Sequence, residues 1–396
     1  MEDRRSFIKK SSIAIGGLSL GLGPTILKSG SKNEILNIGV IGTGDRGGGL
    51  TRIIKSMPNL RVIGCCEIIP FRLVKSLSQA DPSAIGYTNY REMLDNKVID
   101  AVIVSTPFSM HHDMAMDALD AGKHVYCEKT MVRGIREAKQ LVKKVKGQDR
   151  TFQVGHQYHS SRLYVKVVDQ IKRGYIGDVT SFECQWNRND NWRRPVPDPK
   201  WEKMINWRMY REYSGGLTAE LSSHQIDFCN WVMEDHIQKL TGFGGIDYWK
   251  DGRETFDNVH LTTEYPNGVK ARFTCITNNA FNDYMITVRG TKGTFLIKPF
   301  SATIYAESNA AKELGLVDGV SGATLQALKS GEGKKLDMSH MDPTKQALVD
   351  FAENVKNNKN PLSNVESGAW VSITVQMALD ALHKGGIQHW KRSYDI

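Results

Sequence analysis

In the segment TAELSSHQIDFCNWV, Glu220, His224 and Asp227 follow one another at intervals of four and three residues. On a helix this spacing puts the three side chains on one face. An imidazole that titrates near neutral pH can take a proton from a hydroxyl, and a carboxylate one turn away can orient it. The same face offers oxygen and nitrogen donors that suit a metal ion. A carboxylate and an imidazole one turn apart also occur as a satisfied helix pair. Gly215 and Gly216, just before the segment, suit a turn that starts the helix.

A second chemistry-bearing group lies near the start of the folded chain. Gly42, Gly44 and Gly47 in IGVIGTGDRGGG form G-x-G-x-x-G, with Thr43 and Arg46 inside the turn. Glycines at these points let the backbone turn tightly and approach a pyrophosphate, whose charge then meets a helix N-terminus. The next strand, LRVIGCCE, ends in Glu67. An acid there can accept hydrogen bonds from a ribose 2'-hydroxyl and repels a 2'-phosphate, which favours NAD over NADP. Arg46 and Arg72 could neutralise such a phosphate, so NADP stays open.

The elements that must position these groups follow from the pattern. ILNIGVI, LRVIGCCE, IDAVIVSTP and HVYCEKT are short apolar runs separated by helical stretches such as HHDMAMDALDAGK. Alternating strands and helices imply a parallel sheet covered on both faces. Ligands bind such sheets at the carboxyl ends of the strands. The polar groups at those ends are Ser105–Pro107 and the Glu128–Lys129 pair. The glycine motif, Lys129 and His224 together favour catalysis over a helix pair or a metal site.

STPFSMHHDMAMDALDAGKHVYCEKTM resembles the signature of the Gfo/Idh/MocA oxidoreductases, the group of glucose–fructose oxidoreductase and inositol dehydrogenase. Thr106, Pro107 and His111 match, as do Ala121–Val125, Glu128 and Lys129; Thr130 stands where proline is usual and Phe108 where a polar residue is common. SGGLTAELSSHQIDFCNWV is similar to the second signature, with His224 and Asp227 in place and Glu220 for the usual aspartate. The resemblance covers nearly all of residues 35–390. It implies an α/β chain: an N-terminal Rossmann dinucleotide-binding domain, then an α/β domain with a large, mostly antiparallel open sheet. It also implies Lys129, His224 and Glu220 as catalytic groups. Gly42, Thr43, Gly44, Arg46, Gly47, Glu67, Thr106, Pro107, His111, Glu128 and Lys129 are then expected at the cofactor. His156, Tyr158 and His159 fall at the family's domain junction, facing the nicotinamide. The Trp- and Arg-rich stretch CQWNRNDNWRRPVPDPKWEKMINWRMYREYSGG suits a hydroxyl-rich ring, with Trp192, Arg193, Trp207, Arg208 and Tyr210 as candidates.

The chain opens MEDRRSFIKKSS, with paired Arg4 and Arg5 before an apolar run from Ile13 to about Leu22. This is the layout of an export signal and resembles the twin-arginine type. The run is shorter than the ~20 apolar residues that span a bilayer. The expected organisation is residues 1–32 as signal, 33–155 as the Rossmann domain, and 156–340 as substrate-binding and oligomerisation domain. Residues 341–396 are expected as C-terminal helices packing back near the first domain. The net charge of +9 falls partly in the leader, where six Lys/Arg oppose Glu2 and Asp3. The rest is a mild excess without a nucleic-acid motif. Cys65, Cys66, Cys127, Cys184, Cys229 and Cys275 include no C-x-x-C pair and read as buried small hydrophobes.

The expected activity is an exported NAD(P)-dependent oxidation of a secondary hydroxyl of a sugar or glycoside, at ring carbon 3 for instance, with the cofactor held tightly. A glycosidase that oxidises its substrate transiently is one alternative, and a non-catalytic sugar-binding protein is another. A homo-oligomer, dimer or tetramer, is what the resemblance implies, since in this family such a sheet often makes the dimer interface.

Overall fold

The computed structural model describes residues 35–307, 331–336, 338 and 341–396. Residues Ile35–Ile396 form one compact unit. The segment on which the export reading rests lies outside the described residues.

The first sheet is built from runs too apolar to face water. β1 (Leu36–Ile41), β2 (Leu60–Cys66), β4 (Ala101–Val104), β5 (His124–Cys127) and β6 (Phe152–Val154) are buried almost throughout, and β3 (Ile85–Tyr87) closes one edge. The order is β3-β2-β1-β4-β5-β6, and every pairing is parallel. Parallel strands need crossovers, so helices cover both faces. These are α1 (Asp45–Ile54), α2 (Pro70–Gln79), α3 (Tyr90–Leu94), α4 (His111–Asp120) and α5 (Ile135–Lys146). The carboxyl ends of β1, β2, β4 and β5 therefore come together at one edge.

The chain then passes through α6 (Arg162–Lys172), β7 (Val179–Asn187) and α7 (Glu202–Ile205) to α8 (Ser223–Met233). β8 (Lys239–Gly245), β9 (Asn258–Glu264), β10 (Lys270–Ile276), β11 (Tyr284–Gly290), β12 (Gly293–Lys298), β13 (Ser301–Ala306) and β14 (Lys334–Leu336) follow. With β15 (Gln388–His389) they form a nine-stranded sheet, ordered β14-β13-β12-β11-β7-β10-β9-β8-β15. Its pairings are antiparallel except β7–β10, which is parallel. The sheet is mostly antiparallel, as the resemblance implies, with this one parallel pair inside it. β7 enters from the first sheet's side of the chain, and a long crossover through α8 brings β10 back beside it in the same direction. Alternate residues of β9 and β10 are buried and exposed, so one face is covered and the other open.

Two C-terminal helices tie the sheets together. α9 (Pro343–Asn357) is capped by Asp342, whose side chain accepts from the Thr344 and Lys345 amides. Its Phe351 meets Tyr126 of β5 edge-on at 5.7 Å, within the cluster that holds Ile38 and Val40. α10 (Val365–Lys384), capped by Asn364, packs on α5, α8 and β8.

Candidate active site

The glycine turn is shaped by close approaches that no side chain could share. Gly42 has φ +82°, and a Cβ there would lie 2.8 Å from Thr106 Cγ2 and 2.9 Å from the Ser105 carbonyl oxygen. A Cβ on Gly47 would lie 1.9 Å from the Gly42 carbonyl oxygen. α1 therefore starts hard against the end of β1, and Gly44 caps it without a side-chain hydrogen bond. That leaves first-turn amides turned to an anion. Glu67, at the end of β2, accepts from the Thr43 amide at 3.0 Å and the Ile69 amide at 3.1 Å. The turn, the open helix start and the fixed carboxylate fit a dinucleotide: pyrophosphate at the turn, ribose at Glu67.

A cavity of about 480 Å³ runs from this turn to α8. Of the expected cofactor residues, Gly42, Gly44, Arg46, Glu67, Thr106, Pro107, His111, Glu128 and Lys129 line it. Thr43 and Gly47 act from behind, by bonding Glu67 and by admitting the helix. Arg46 donates to Glu128 at 2.7 Å. His111 places Nδ1 at 3.0 Å from the Thr130 carbonyl and Nε2 at 3.0 Å from the Thr106 carbonyl. It joins the loops that follow β4 and β5, so its task is to position them.

At the far end Lys129 meets the segment before α8. Residues Thr218–Ser222 form a π-turn, a wide turn frequent at functional sites. Lys129 Nζ donates to the Glu220 carbonyl oxygen at 3.1 Å and stands 3.7 Å from Glu220 Oε2. Thr130 Oγ1 donates to the Ala219 carbonyl at 2.9 Å. Arg208 Nε donates to Glu220 Oε2 at 2.8 Å. Burial would raise the Glu220 carboxyl, but Lys129 and Arg208 outweigh it and hold it below its usual value. Burial, with Arg208 and Arg46 adding to it, lowers the Lys129 ammonium against the pull of Glu220. Burial pushes the His224 imidazole well below its usual value, and Lys129 and His156 add to that. His224 is therefore neutral at pH 7, and its Nδ1 is buried without a hydrogen-bond partner.

The three groups read as one helical face divide between two layers. Glu220 and His224 line the cavity, whereas Asp227 sits behind it. Asp227 Oδ2 is 2.8 Å from His159 Nε2, and Oδ1 is 3.6 Å from His156 Nδ1. His159 stacks on Trp231 at 4.3 Å. The third group thus serves the histidines underneath. Among the described residues no group of His, Cys, Asp and Glu side chains is arranged to hold a metal.

The aromatic candidates separate in the same way. Trp192, Trp207 and Arg208 line the cavity. His156 and Tyr158 stand one layer back, each with its ring centroid 5.6 Å from that of His224. Arg193 and Tyr210 do not reach the cavity, contrary to expectation. Arg193 is held by Asp251 at 3.2 Å and Glu202 at 2.7 Å, and the Tyr210 hydroxyl donates to Glu202 at 3.1 Å. Acids placed elsewhere in the loops claim both. Sequence reasoning missed Trp186 and Arg188, at the carboxyl end of β7, and the Asp45–Arg194 pair at 3.0 Å. A cation beside a tryptophan at a strand end was the available signal for the first two.

Comparison with known proteins supplies two family matches. Residues 36–156 match the oxidoreductase family with an NAD-binding Rossmann fold, GFO_IDH_MocA, and residues 164–296 match the GFO/IDH/MocA C-terminal domain. Oxidoreductase P35 of Formosa agariphila is 29% identical over 229 residues, 57% of this chain and 68% of that protein. The inositol 2-dehydrogenase/D-chiro-inositol 3-dehydrogenase of Lactiplantibacillus plantarum is 25% identical over 53% of this chain and 56% of its own length. Among solved structures, levoglucosan dehydrogenase in complex with NADH superposes with a TM-score of 0.73 at 16% identity, covering 90% of this chain and 99% of that one. That last likeness is one of fold.

Proposed function

The chain belongs to the GFO/IDH/MocA oxidoreductases, with an NAD-binding Rossmann domain, and from that premise we propose that it oxidises a secondary hydroxyl of a sugar or glycoside. The observation that carries the reading is that the cradle for the dinucleotide and the Lys129–Glu220–His224 group open into one cavity. When bound, the nicotinamide supplies the hydride acceptor. The chain supplies the rest. Neutral His224 takes the hydroxyl proton as the carbon–hydrogen bond breaks. Lys129, held by Glu220, hydrogen-bonds the substrate oxygen and stabilises charge developing on it. Glu220 stays ionised and fixes both Lys129 and Arg208. Trp192 and Trp207 offer flat faces to the ring, and Glu67 favours NAD over NADP.

Tight retention of the cofactor is part of the proposal. Arg194 reaches from the loop after β7 to Asp45 in the first turn of α1, which ties that loop to the cofactor end. Arg4 and Arg5 support export, and free buried cysteines agree with folding before export. The open face of the nine-stranded sheet supports a homo-oligomer.

The test is to denature the purified protein, identify the released dinucleotide, and then screen glycosides for a change in nicotinamide absorbance and for ketosugar products. NAD and a ketosugar are expected. Net hydrolysis without accumulated NADH would move the protein to the glycosidases. No absorbance change with any glycoside would leave a sugar-binding protein.

A further inference from the structure

Most of the charges around the cavity pair off; among the described residues Arg72, beside the glycine turn, and Arg188, at the substrate end, have no ion pair. Arg46 is held by Glu128, Arg194 by Asp45, and Arg208 by Glu220, which Lys129 shares. Arg188, the first residue after β7, lines the same cavity. Its backbone is bonded to Ile276 and Asn279. Among the described residues its guanidinium has neither an ion-pair nor a hydrogen-bond partner. It lies over the Trp186 ring at 5.2 Å and the Trp192 ring at 5.7 Å.

This clamp is built, because the loop holds Trp192 where it stands. Trp192 has φ +63°, a conformation rare for a bulky residue and common at functional sites when the surroundings enforce it. Asp190 Oδ1 accepts from the Trp192 amide at 2.8 Å, and Asn191 Oδ1 accepts from the Arg193 amide at 3.0 Å. The Arg193 side chain is pinned by Asp251 and Glu202. Arg193, which sequence placed on the substrate, thus fixes its neighbour.

The Arg188 guanidinium carbon lies over both indole rings, and its N–H groups, without a partner among the described residues, are left for a ligand. That planar fork matches a carboxylate in two parallel hydrogen bonds. The surrounding charge agrees. Lys129 and Arg208 already share one acid, Glu220, and Arg188 lines the same cavity. A neutral polyol would leave a half-buried cation without a counter-charge.

We propose that the substrate sugar carries a carboxylate, as a uronic acid or its glycoside does, and that Arg188, held between Trp186 and Trp192, receives it. This rests on the oxidoreductase reading above and names its substrate class.

The experiment measures equilibrium binding to the full-length protein loaded with NADH. The probes are both anomers of methyl glucuronide, methyl glucoside and methyl glucoside 6-sulfate, followed by calorimetry and by thermal shift. The glucuronide binds roughly tenfold tighter than the glucoside or better, as an added charge-assisted hydrogen bond allows. Salt narrows the gap. Arg188→Gln reduces the ratio of the two dissociation constants by roughly ten- to a hundredfold, and Arg188→Lys restores only part because the fork is lost. A wild-type ratio near one overturns the inference without any variant. An unchanged ratio in Arg188→Gln also overturns it, and a 6-sulfate that binds as well as the glucuronide overturns the assignment to carboxylate. The two readings fail separately. Oxidation of glucoside without any preference for glucuronide discards the carboxylate and keeps the oxidoreductase. A nicotinamide absorbance that no sugar alters discards the oxidoreductase, whatever the binding ratio.

Discussion

Replacing His156 by Gln should flatten the acid sensitivity of the fold. His156 is 1% exposed, and burial brings its pKa down to about 4 from 6.5. Nearby Asp227 opposes the shift without cancelling it. A histidine buried neutral has a depressed folded pKa. Its stabilising effect is complete above 6.5, because neither state then binds the proton. Below 6.5 the unfolded chain takes up a proton that the folded chain refuses. Stability then falls by about 1.4 kcal/mol per pH unit until the folded pKa is reached. The loss is about 2 kcal/mol at pH 5 and about 3 kcal/mol near pH 4, against a total of ~5–15 kcal/mol for a typical domain. His224 is depressed in the same direction, and it titrates in both proteins, so the difference between them isolates His156. Urea unfolding followed by tryptophan fluorescence at half-unit steps from pH 7.5 to 4 gives that difference. The wild type should lose stability more steeply than His156→Gln by the stated amounts. Parallel curves across the window would show that His156 is charged or solvated in the fold, and would refute the buried-neutral layer behind His224.

Lys129→Met should lower turnover by about 10²–10³, the usual cost of removing one donor to a developing negative oxygen, while the bound dinucleotide survives. The fold should survive too, because Arg208 still pairs with Glu220 at 2.8 Å, and turnover within tenfold of wild type would remove Lys129 from the chemistry. Gly47→Ala should abolish dinucleotide retention, since its Cβ would sit 1.9 Å from the Gly42 carbonyl and must push α1 off the strand end. The check is the absorbance of the purified protein. Arg194→Ala should speed dissociation of the dinucleotide with little effect on the fold, because only the tie to Asp45 is lost; stopped-flow displacement measures it.

The first sheet was legible because each strand had to be apolar on both faces, and its glycine turn because only a missing side chain lets β1 and α1 meet. Glu67, Lys129 and His224 were legible for a related reason: they sit at ends of elements, where sequence position fixes spatial position. Side chains on the loop after β7 were not. Trp192 and Arg193 are adjacent, yet one lines the cavity and the other is drawn outward by Asp251, whose contribution lies 58 residues further on. Sequence spacing gave Asp227 the right helix and the wrong neighbours, since its partners His156 and His159 come from the segment before α6. The parallel β7–β10 pair was illegible for the same reason: direction within a sheet depends on the crossover, which local pattern does not carry.

The six free cysteines are divided between the two sheets. Cys65 and Cys66 lie on β2 and Cys127 on β5, while Cys184 lies on β7, Cys275 on β10 and Cys229 on α8 beneath them. All are buried, and burial pushes the Cys66 and Cys275 thiols up to about 12. Alkylating reagents need a thiolate in contact with solvent. The sulfurs other than Cys66 are therefore silent until their own part of the molecule opens, and the chain carries two built-in clocks for local breathing, read by mass from one labelling reaction. Cys66 also lines the cavity. Its clock slows when the dinucleotide is seated, so the same tube reports cofactor residence alongside the opening of each sheet.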